Sequence, residues 1–442
     1  MREKTYTFKG GIHPPDYKEF TANKRTIKAK EPQLVTIPMQ QHIGAPCKPI
    51  VKVGDRVKVG ERIGEPQGFV SVPIHSSIAG IVKKIYETHS PTIKTTCIVI
   101  ESDGSNEVYE GIKPKRDIYR LSKEEILEFI KDSGITGLGG AGFPTHVKLS
   151  PPPEKHIDTV IINGAECEPY LTADYRQMIE DPEKVILGLS AIMKVLNVIR
   201  GVIAIEDNKP GAIEAMKNIV KWHTDMEVAV LKTKYPQGGE KRLIHAVIGR
   251  KVPSGGLPMD AGVVVNNVGT AAAIGNVIDT GIPLIERIVT VTGKGVRNPQ
   301  NIKVKIGSPF KEVIKQCGGY KEPVGKIIMG GPMMGLAQFT DQVPVIKTTS
   351  GILLMPPEDV IEHNPQPCIK CASCVDVCPV GLLPIKLASF AEKEMWDEAE
   401  EYGILDCIEC GSCSFICPAK RPLLERIRVA KGEVIARRRQ NK

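Results

Sequence analysis

The chain has 442 residues, of which 41% are hydrophobic, and a formal net charge of +8. This length suits three or four domains, each with its own core, and excludes a small fold held together by disulfides. The positive charge is modest for the length and is not interleaved with aromatic residues, which argues against a nucleic-acid-binding protein.

Short alternating runs of apolar residues dominate the N-terminal part. Val57 and Val59, for example, alternate with polar residues around glycine-containing turns. This pattern predicts short strands in a small sandwich. The segments VKVGDRVKVGERIG and VPIHSSIAGIVKKI resemble lipoyl and biotinyl carrier domains, and approximately Phe69 stands where those carriers have their modified lysine. We predict a structural barrel-sandwich hybrid over residues 1–115, without a carrier lysine.

A helix and a glycine-rich loop come next. The segment LSKEEILEFIKDSG predicts an amphipathic helix with Ser122 as N-cap and Glu125 as its capping-box partner. In the adjoining segment, GITGLGGAGFPT, the glycines leave backbone N–H groups free to approach a phosphate, and Lys148 lies close enough downstream to neutralise its charge. Such a loop is as often a simple tight turn, so the phosphate hypothesis needs support from residues further along the chain.

Strands and helices then alternate. The apolar segments DTVIIN, GVIAIE, MEVAVL and GVVVNN each precede a helical pattern, which predicts an α/β domain with its ligand site at the carboxyl ends of the strands. The most apolar stretch, residues 185–205, contains Lys194 and Arg200 and is not expected to span a membrane. The polar candidates at the strand ends are Asn163, Glu166, Glu168, Gly239, Glu240, Asn266 and Asn267.

Two copies of one cysteine pattern lie near the C-terminus. Each reads Cys-x-x-Cys-x-x-Cys-x-x-x-Cys-Pro, the run that holds 4Fe–4S clusters in bacterial two-cluster ferredoxins, where the fourth cysteine of each run binds the other run's cluster. Crosswise ligation therefore assigns four cysteines to each of two clusters. The first set is Cys368, Cys371, Cys374 and Cys417, and the second is Cys407, Cys410, Cys413 and Cys378.

Structural zinc is the alternative for these thiolates, because four cysteines also suit that metal. Zinc ribbons usually pair two short knuckles across a longer gap, so a repeated three-cysteine run fits them poorly. The other four cysteines, Cys47, Cys97, Cys167 and Cys317, are scattered, which favours reduced thiols in the cytosol over disulfides.

The motifs of the α/β part occur together in a known family. The segments GITGLGGAGFPTHVKL, INGAECEP, GGEKRL and VVVNNVGT resemble, in order and spacing, the FMN- and NADH-binding subunit of respiratory complex I. With TFKGGIHPP near the N-terminus and the two cysteine runs, the whole chain resembles the C subunit of the Rnf electron transport complex. The resemblance implies an α/β and α+β multidomain protein: the barrel-sandwich hybrid, a Rossmann-like FMN domain over 116–285, an SLBB β-grasp module over 286–350, and a helical two-cluster ferredoxin-like domain over 351–442.

The same resemblance implies roles for individual residues. Two departures stand out, since Ala165 and Lys241 occupy positions where the complex I subunit carries acids. The aromatic residues that help to clamp the nucleotide there are also missing. Apart from the resemblance, the position of Glu206 and Asp207 at another strand end would suit a ribose diol. Phe143 and Glu168 would face the nicotinamide nucleotide, and FMN would be lined by Gly137, Leu138, Gly139, Lys148, Asn163, Glu166, Gly239, Glu240, Asn266 and Asn267.

The resemblance also implies a function. The chain would be a peripheral subunit on the cytoplasmic face of the cell membrane, in a translocase-type oxidoreductase that exchanges electrons between NAD(H), FMN and two 4Fe–4S clusters linked to ferredoxin. Its expected partners are the other subunits of an Rnf-type complex, including membrane subunits and a ferredoxin-like subunit, and NADH is the expected substrate. No nucleic-acid partner is expected.

Two other functions remain open at this point. A cobalamin reductase of the type serving diol metabolism shares the flavin and iron–sulfur modules, but it carries the barrel-sandwich part late in the chain, whereas here that part comes first. An electron-wiring subunit without nucleotide activity would keep the eight motif cysteines, and Lys241 and Ala165 give this second alternative some support.

Overall fold

The computed structural model describes residues 4–89, 93–114, 117–321, 323–360 and 364–440. These residues form four β-sheets, helices that pack against two of the sheets, and a C-terminal group of helices. The parts succeed one another along the chain, apart from one short N-terminal strand that joins the third part.

The N-terminal part is a two-sheet sandwich, as predicted. The first strand of the chain, β1 (Ile27–Lys28), joins the third part. The strands of the sandwich are β2 (Leu34–Pro38), β3 (Lys48–Pro49), β4 (Arg56–Val57), β5 (Arg62–Glu65), β6 (Ile74–His75), β7 (Gly80–His89) and β8 (Lys94–Ser102). One sheet has the order β2-β8-β7-β4 and the other β3-β5-β6, and Val35, Ile37, Ile63 and Ile98 are buried between them. Phe69 lies in the connection between β5 and β6 and is 70% exposed.

The next part is an α/β layer built on a parallel sheet. Its elements are α1 (Lys123–Asp132), α2 (Thr145–Lys148), β9 (Thr159–Gly164), α3 (Ala173–Glu180), α4 (Pro182–Leu196), β10 (Gly201–Glu206), α5 (Pro210–Val220), β11 (Met226–Leu231), α6 (Glu240–Ile248), β12 (Val263–Asn267) and α7 (Val268–Thr280). The sheet has the order β11-β10-β9-β12. The predicted capping box of α1 is present, because Ser122 accepts from the Glu125 N–H and Glu125 accepts from the Ser122 N–H.

The third part is a six-stranded mixed sheet with one helix. Its elements are β13 (Glu286–Thr292), β14 (Gln300–Lys305), α8 (Phe310–Gln316), β15 (Lys326–Met329), β16 (Leu336–Gln338) and β17 (Gly351–Met355). The strand order is β1-β14-β13-β17-β15-β16, with β1 at one edge through its pairing with β14. β17 lies in the interior, so the sheet extends past the predicted limit at residue 350.

The C-terminal part is helical. Its helices are α9 (Ser373–Asp376), α10 (Pro384–Glu392), α11 (Trp396–Glu401), α12 (Ser412–Ile416) and α13 (Leu423–Gln440). Its core is formed by Leu387, Ala399, Ile404 and Ile427. No helix of the described residues combines the length and apolar character that crossing a membrane requires.

Residues 6–21, which we call the N-terminal strap, contact the α/β part. Tyr6 pairs with Leu231 at the edge of the parallel sheet, and Ile12 pairs with Tyr235. Further along, the Thr21 hydroxyl lies 2.6 Å from the Thr172 hydroxyl. The strap therefore crosses the α/β part at the same side as the carboxyl ends of its strands.

Two glycines allow α4 and α7 to pack closely. A Cβ atom on Gly188 would overlap the Ala271 carbonyl oxygen, and one on Gly275 would overlap the Lys184 carbonyl oxygen. Neither neighbour is the end of a flexible side chain, so a methyl group would have to push the helices apart.

We expect G188A to destabilise the protein by about 1–3 kcal/mol, since overpacking forces backbone shifts. The measurement is thermal unfolding followed by circular dichroism. Gly432 in α13 is the matched control, because in the part of the chain that the structure describes a Cβ there meets nothing within 4 Å. G432A should stabilise the protein by about 0.5–1 kcal/mol through helix propensity. Equal unfolding temperatures for G188A and the unmodified protein would contradict the close packing.

Candidate functional site

The carboxyl end of β9 meets the loop before α6. Asn163 Nδ2 donates to the Gly238 carbonyl at 2.8 Å, and Asn163 Oδ1 accepts from the Ala165 N–H at 3.2 Å. The side chain of Asn163 therefore joins two neighbouring loops at the edge of the sheet where ligands bind in open α/β folds.

The two asparagines at the end of β12 have different surroundings. Asn267 Oδ1 accepts from the N–H groups of Gly269 (2.8 Å) and Thr270 (3.3 Å), and so caps α7. Asn266 is 4% exposed, and its Nδ2 has no hydrogen-bond partner among the described residues. An unpaired buried amide is unfavourable, so this donor is suited to a ligand acceptor.

The glycine-rich loop packs against Asn267. The Gly137 N–H donates to the Phe143 carbonyl at 2.9 Å, and the Leu138 N–H donates to Thr270 Oγ1 at 2.9 Å. A Cβ on Gly139 would lie 2.6 Å from Asn267 Nδ2, whereas one on Gly140 would meet no atom of the described residues within 4 Å. The loop therefore needs glycine at 139 for close approach and is open to a ligand at 140.

Lys148 and Glu240, both candidates from the sequence, form an ion pair at 2.6 Å. Glu240 is the first residue of α6, and the N-cap residue, Gly239, has no side chain that could accept from the first N–H groups of the helix. The start of α6 thus offers backbone N–H groups and the positive end of the helix dipole, which suit a phosphate, and the Lys148 ammonium would contact that phosphate in place of the Glu240 carboxylate.

Two of the three acidic candidates, Glu166 and Glu168, are held by backbone N–H groups. Glu166 accepts from Asp174 N (2.7 Å) and Tyr175 N (3.2 Å) at the start of α3. Glu168, expected from the resemblance to face the nicotinamide, accepts from Met333 N (3.1 Å) and Met334 N (2.8 Å) in the turn after β15. Burial raises the pKa of Glu168 to about 7, although these two N–H groups oppose the shift.

Two ionisable residues near these acids, Asp174 and Lys18, were not predicted from the sequence. Burial and the Glu166 carboxylate raise the pKa of Asp174 to about 7, and the Asp174 carboxylate accepts from Asn267 Nδ2 at 2.6 Å. Lys18, from the N-terminal strap, donates to the loop after β9. Both residues contact partners far away in the sequence, so no local pattern reveals them.

The two acids proposed to bind a ribose diol, Glu206 and Asp207, have partners within the protein. Glu206 is 1% exposed and forms a buried ion pair with Lys209 at 3.2 Å. Asp207, the next residue, accepts from the Thr233 N–H at 2.9 Å. Both carboxylates are therefore engaged by the protein itself.

The eight motif cysteines form two groups, each around a cavity. The outer set is Cys368, Cys371, Cys374 and Cys417, and the inner set is Cys378, Cys407, Cys410 and Cys413. Each group thus combines three cysteines of one run with the last cysteine of the other.

The two cysteine loops have the same backbone conformation. Lys370 and Ala372 in the first loop have φ angles of 58° and 61°, and Glu409 and Gly411 in the second have 55° and 77°. These left-handed residues, at matching positions, turn each loop so that its three thiols face one cavity.

The cavities are suited to clusters rather than to single ions. Among the described residues, no three His, Cys, Asp or Glu side chains come close enough to hold one metal ion. Zinc requires four ligands about 2.0–2.3 Å from one atom. Three cysteines of one run combined with the last cysteine of the other is the ligand set of a 4Fe–4S cluster in two-cluster ferredoxins.

The inner set lies against the α/β part. Tyr235 Oη donates to the Cys410 carbonyl at 2.8 Å, and Ile12, Cys167, Met333 and Ile408 pack around this contact. A Cβ on Gly239 would lie 3.5 Å from Ile408 Cδ1. The inner cysteines therefore share a wall with the loop that precedes α6.

Four family models match the chain. They are the RnfC barrel sandwich hybrid domain over residues 6–105, the Nuo51 FMN-binding domain over 130–276, the SLBB domain over 288–337 and the 4Fe-4S dicluster domain over 360–419. They confirm the predicted fold class and cofactors, and the unpaired Asn266 donor and the open start of α6 fit FMN. Fold and site define a flavin- and iron–sulfur-containing electron-transfer protein.

Full-length relatives specify the family. The chain is 52% identical over 441 residues to the C subunit of the Na(+)-translocating ferredoxin:NAD(+) oxidoreductase complex of Acetobacterium woodii, covering 100% of both chains. It is 51% identical to the proton-translocating counterpart of Clostridium ljungdahlii (97% of this chain, 94% of the relative) and 40% identical to the C subunit of the ion-translocating oxidoreductase complex of Rhodobacter capsulatus (98% and 84%). The chain belongs to the RnfC family, the C subunits of the Rnf-type ion-translocating oxidoreductase complexes.

We expect N266A to weaken FMN binding by about 1–2 kcal/mol, roughly 5- to 30-fold in Kd, because one buried donor to the ligand is lost. The measurement is titration of flavin-free protein with FMN, followed by quenching of flavin fluorescence. N218A, which changes an exposed asparagine on α5, is the matched control and should leave the Kd unchanged. The same Kd in N266A would show that Asn266 does not touch the flavin.

Proposed function

We propose that this chain exchanges electrons between NAD(H) and a ferredoxin-linked pathway, as the flavin- and cluster-carrying subunit of an ion-translocating complex. The observation that carries the proposal is the shared wall between the inner cysteine set and the loop before α6. Through Tyr235 and Ile408, one chain brings a cluster cavity next to the polar strand ends of an FMN-binding domain.

The proposed flavin site combines contributions from four loops. The start of α6 and Lys148 hold the phosphate, since helix N–H groups and an ammonium favour an anion. The Asn163 and Asn266 amides are placed at the strand ends as hydrogen-bond donors to the flavin. Glu166 supports this edge through its bonds to the start of α3. The full proposed set is Gly137, Leu138, Gly139, Lys148, Asn163, Glu166, Gly239, Glu240, Asn266 and Asn267 for FMN, with Phe143 and Glu168 on the nucleotide side.

FMN suits this position because a flavin accepts two electrons as hydride and passes electrons on singly, as a 4Fe–4S cluster requires. The protein supplies position and environment. Glycine at 139 lets the loop pack closely on Asn267, and the Glu168 carboxylate, whose pKa burial raises to about 7, keeps the turn at Met333 against the loop after β9.

The proposed cluster ligands are the outer and inner cysteine sets. Hydrogen bonds from the protein reach the thiol sulfurs, for example from Lys370 N to Cys368 Sγ and from Leu382 N to Cys378 Sγ, at 3.4 and 3.3 Å. Such bonds and burial set cluster potentials. Cys410 is 7% exposed, whereas Cys368 and Cys371 are exposed, so the two clusters would have different surroundings.

We infer from this difference in exposure the order in which electrons pass between the cofactors. The inner cluster would exchange electrons with FMN, and the outer cluster with a partner at the surface. Ile369, between two outer ligands, is 68% exposed, as expected for a residue that a partner covers. We propose a ferredoxin-like subunit as that partner and a peripheral position on the cytoplasmic face of the cell membrane, beside the membrane subunits.

The test is to load purified protein with FMN and iron–sulfur clusters under anaerobic conditions and mix it with NADH. We expect bleaching of the flavin absorbance and steady reduction of an artificial acceptor. Clusters without bound flavin, or bound flavin that NADH leaves oxidised, would favour the wiring subunit. NADH-linked reduction of a corrinoid would favour the cobalamin reductase instead.

Crosswise ligation makes a separate prediction. C378S should remove the cluster bound by the second cysteine run, although Cys378 lies in the first, while C417S should remove the other. Electron paramagnetic resonance of dithionite-reduced protein distinguishes the two signals, and C317S, which changes a buried cysteine outside both sets, is the control. Loss of the same signal in C378S and C371S would contradict the crosswise assignment.

A further inference from the structure

The N-terminal strap contacts both cofactor regions. The Gly11 N–H donates to the Val377 carbonyl at 2.9 Å, next to the inner ligand Cys378. Ile12 exchanges two backbone hydrogen bonds with Tyr235, at 2.8 and 2.9 Å. The strap thus runs from the iron–sulfur domain to the loop after β9, where Lys18 lies.

Lys18 donates three hydrogen bonds to that loop. Its Nζ lies 2.9 Å from the Glu166 carbonyl oxygen, 3.0 Å from that of Glu168 and 2.6 Å from that of Leu171. An ammonium has three N–H donors, so these three acceptors use its full capacity. Lys18 is 8% exposed, which means that water does not replace these bonds.

The loop that Lys18 holds has an unfavourable backbone. Glu166 and Tyr170 have φ angles of 46° and 69°, in the left-handed region that non-glycine residues avoid. Such conformations persist where the surrounding structure imposes them, often beside functional sites. Here three carbonyls of one loop point at a single cation from a distant segment, which is a direct way to impose the shape.

The electrostatic surroundings add to the constraint. Burial lowers the pKa of Lys18 and the nearby Lys209 lowers it further, whereas Glu166 and Glu206 raise it. A buried ammonium is unfavourable unless it is paired and hydrogen-bonded. The three loop carbonyls therefore compensate the burial of the Lys18 ammonium, and Lys18 in turn adds a constraint to those that the Met333 and Met334 N–H groups place on the same loop.

We propose that Lys18 is a positioning residue for electron exchange between NAD(H) and FMN, because it fixes the loop over residues 166–171 at the flavin edge. The inference rests on the proposed function. Lys18 does not touch the reacting atoms. It acts through the loop that carries Glu166 and Glu168, whose placement relative to flavin and nicotinamide decides how often a productive geometry forms.

The test replaces Lys18 by methionine, which has a similar length and no donors. In K18M loaded with FMN and clusters, the rate constant of flavin reduction at saturating NADH should fall about 10- to 100-fold, the effect of a small misplacement of reacting groups. Light-driven reduction of the flavin, which needs no NADH, should proceed at the rate of the unmodified protein.

K24M is the matched control. Lys24 lies just beyond the strap, and its Nζ donates a bond to the Pro299 carbonyl at 2.8 Å. We expect K24M to keep the full rate of NADH-driven reduction. A second variant, K18Q, retains part of the donors without the charge and should give an intermediate rate.

The outcomes separate this inference from the proposed function. Normal NADH-driven reduction in both K18M and K18Q overturns the role of Lys18 and leaves the proposed function intact. If neither variant can be isolated with FMN bound, Lys18 serves assembly of the domain and the inference is wrong. If NADH fails to reduce the unmodified protein, the proposed function itself fails.

Discussion

The arrangement of the molecule depends on the contact between the inner cysteine loop and the α/β domain. Tyr235, buried and bonded through its hydroxyl to the Cys410 carbonyl, fixes the distance between these two parts. Since the cofactors carry the redox chemistry, the role of the protein at this contact is to hold cluster and flavin in fixed relative positions. Ile12 from the strap and Met333 from the turn after β15 pack on the same contact, so three separate parts of the chain maintain it.

The loop after β9 also depends on other domains of the same chain. The turn after β15, in the third part, donates backbone N–H groups to the Glu168 carboxylate. Lys18 of the N-terminal strap donates to backbone carbonyls of the same loop. The loop after β9 is therefore held from two sides by segments outside the FMN-binding domain. An isolated flavin domain would lack both supports, which gives the surrounding domains a physical role beyond linking the cofactors.

Much of the fold and of the cofactor content could be predicted from local patterns. The capping box of α1, the strand–helix alternation and the cysteine spacing each depend on residues close in sequence, and such signals are strong. Lys18 and Tyr235 could not be identified in this way, because their acceptors lie 148–153 and 175 residues away. The place of β17 in the sheet was missed for the same reason, since its strand partners are set by tertiary packing.

The most direct test of the central claim is the order in which NADH reduces the two clusters. Loaded protein would be mixed with NADH, frozen after increasing times and measured by electron paramagnetic resonance, with the two signals assigned from single-cluster variants. We predict that the cluster bound by Cys378, Cys407, Cys410 and Cys413 is reduced first, and that the exposed cluster is reduced only when the inner one is present. Reduction of the exposed cluster at an unchanged rate in protein without the inner cluster would contradict this order.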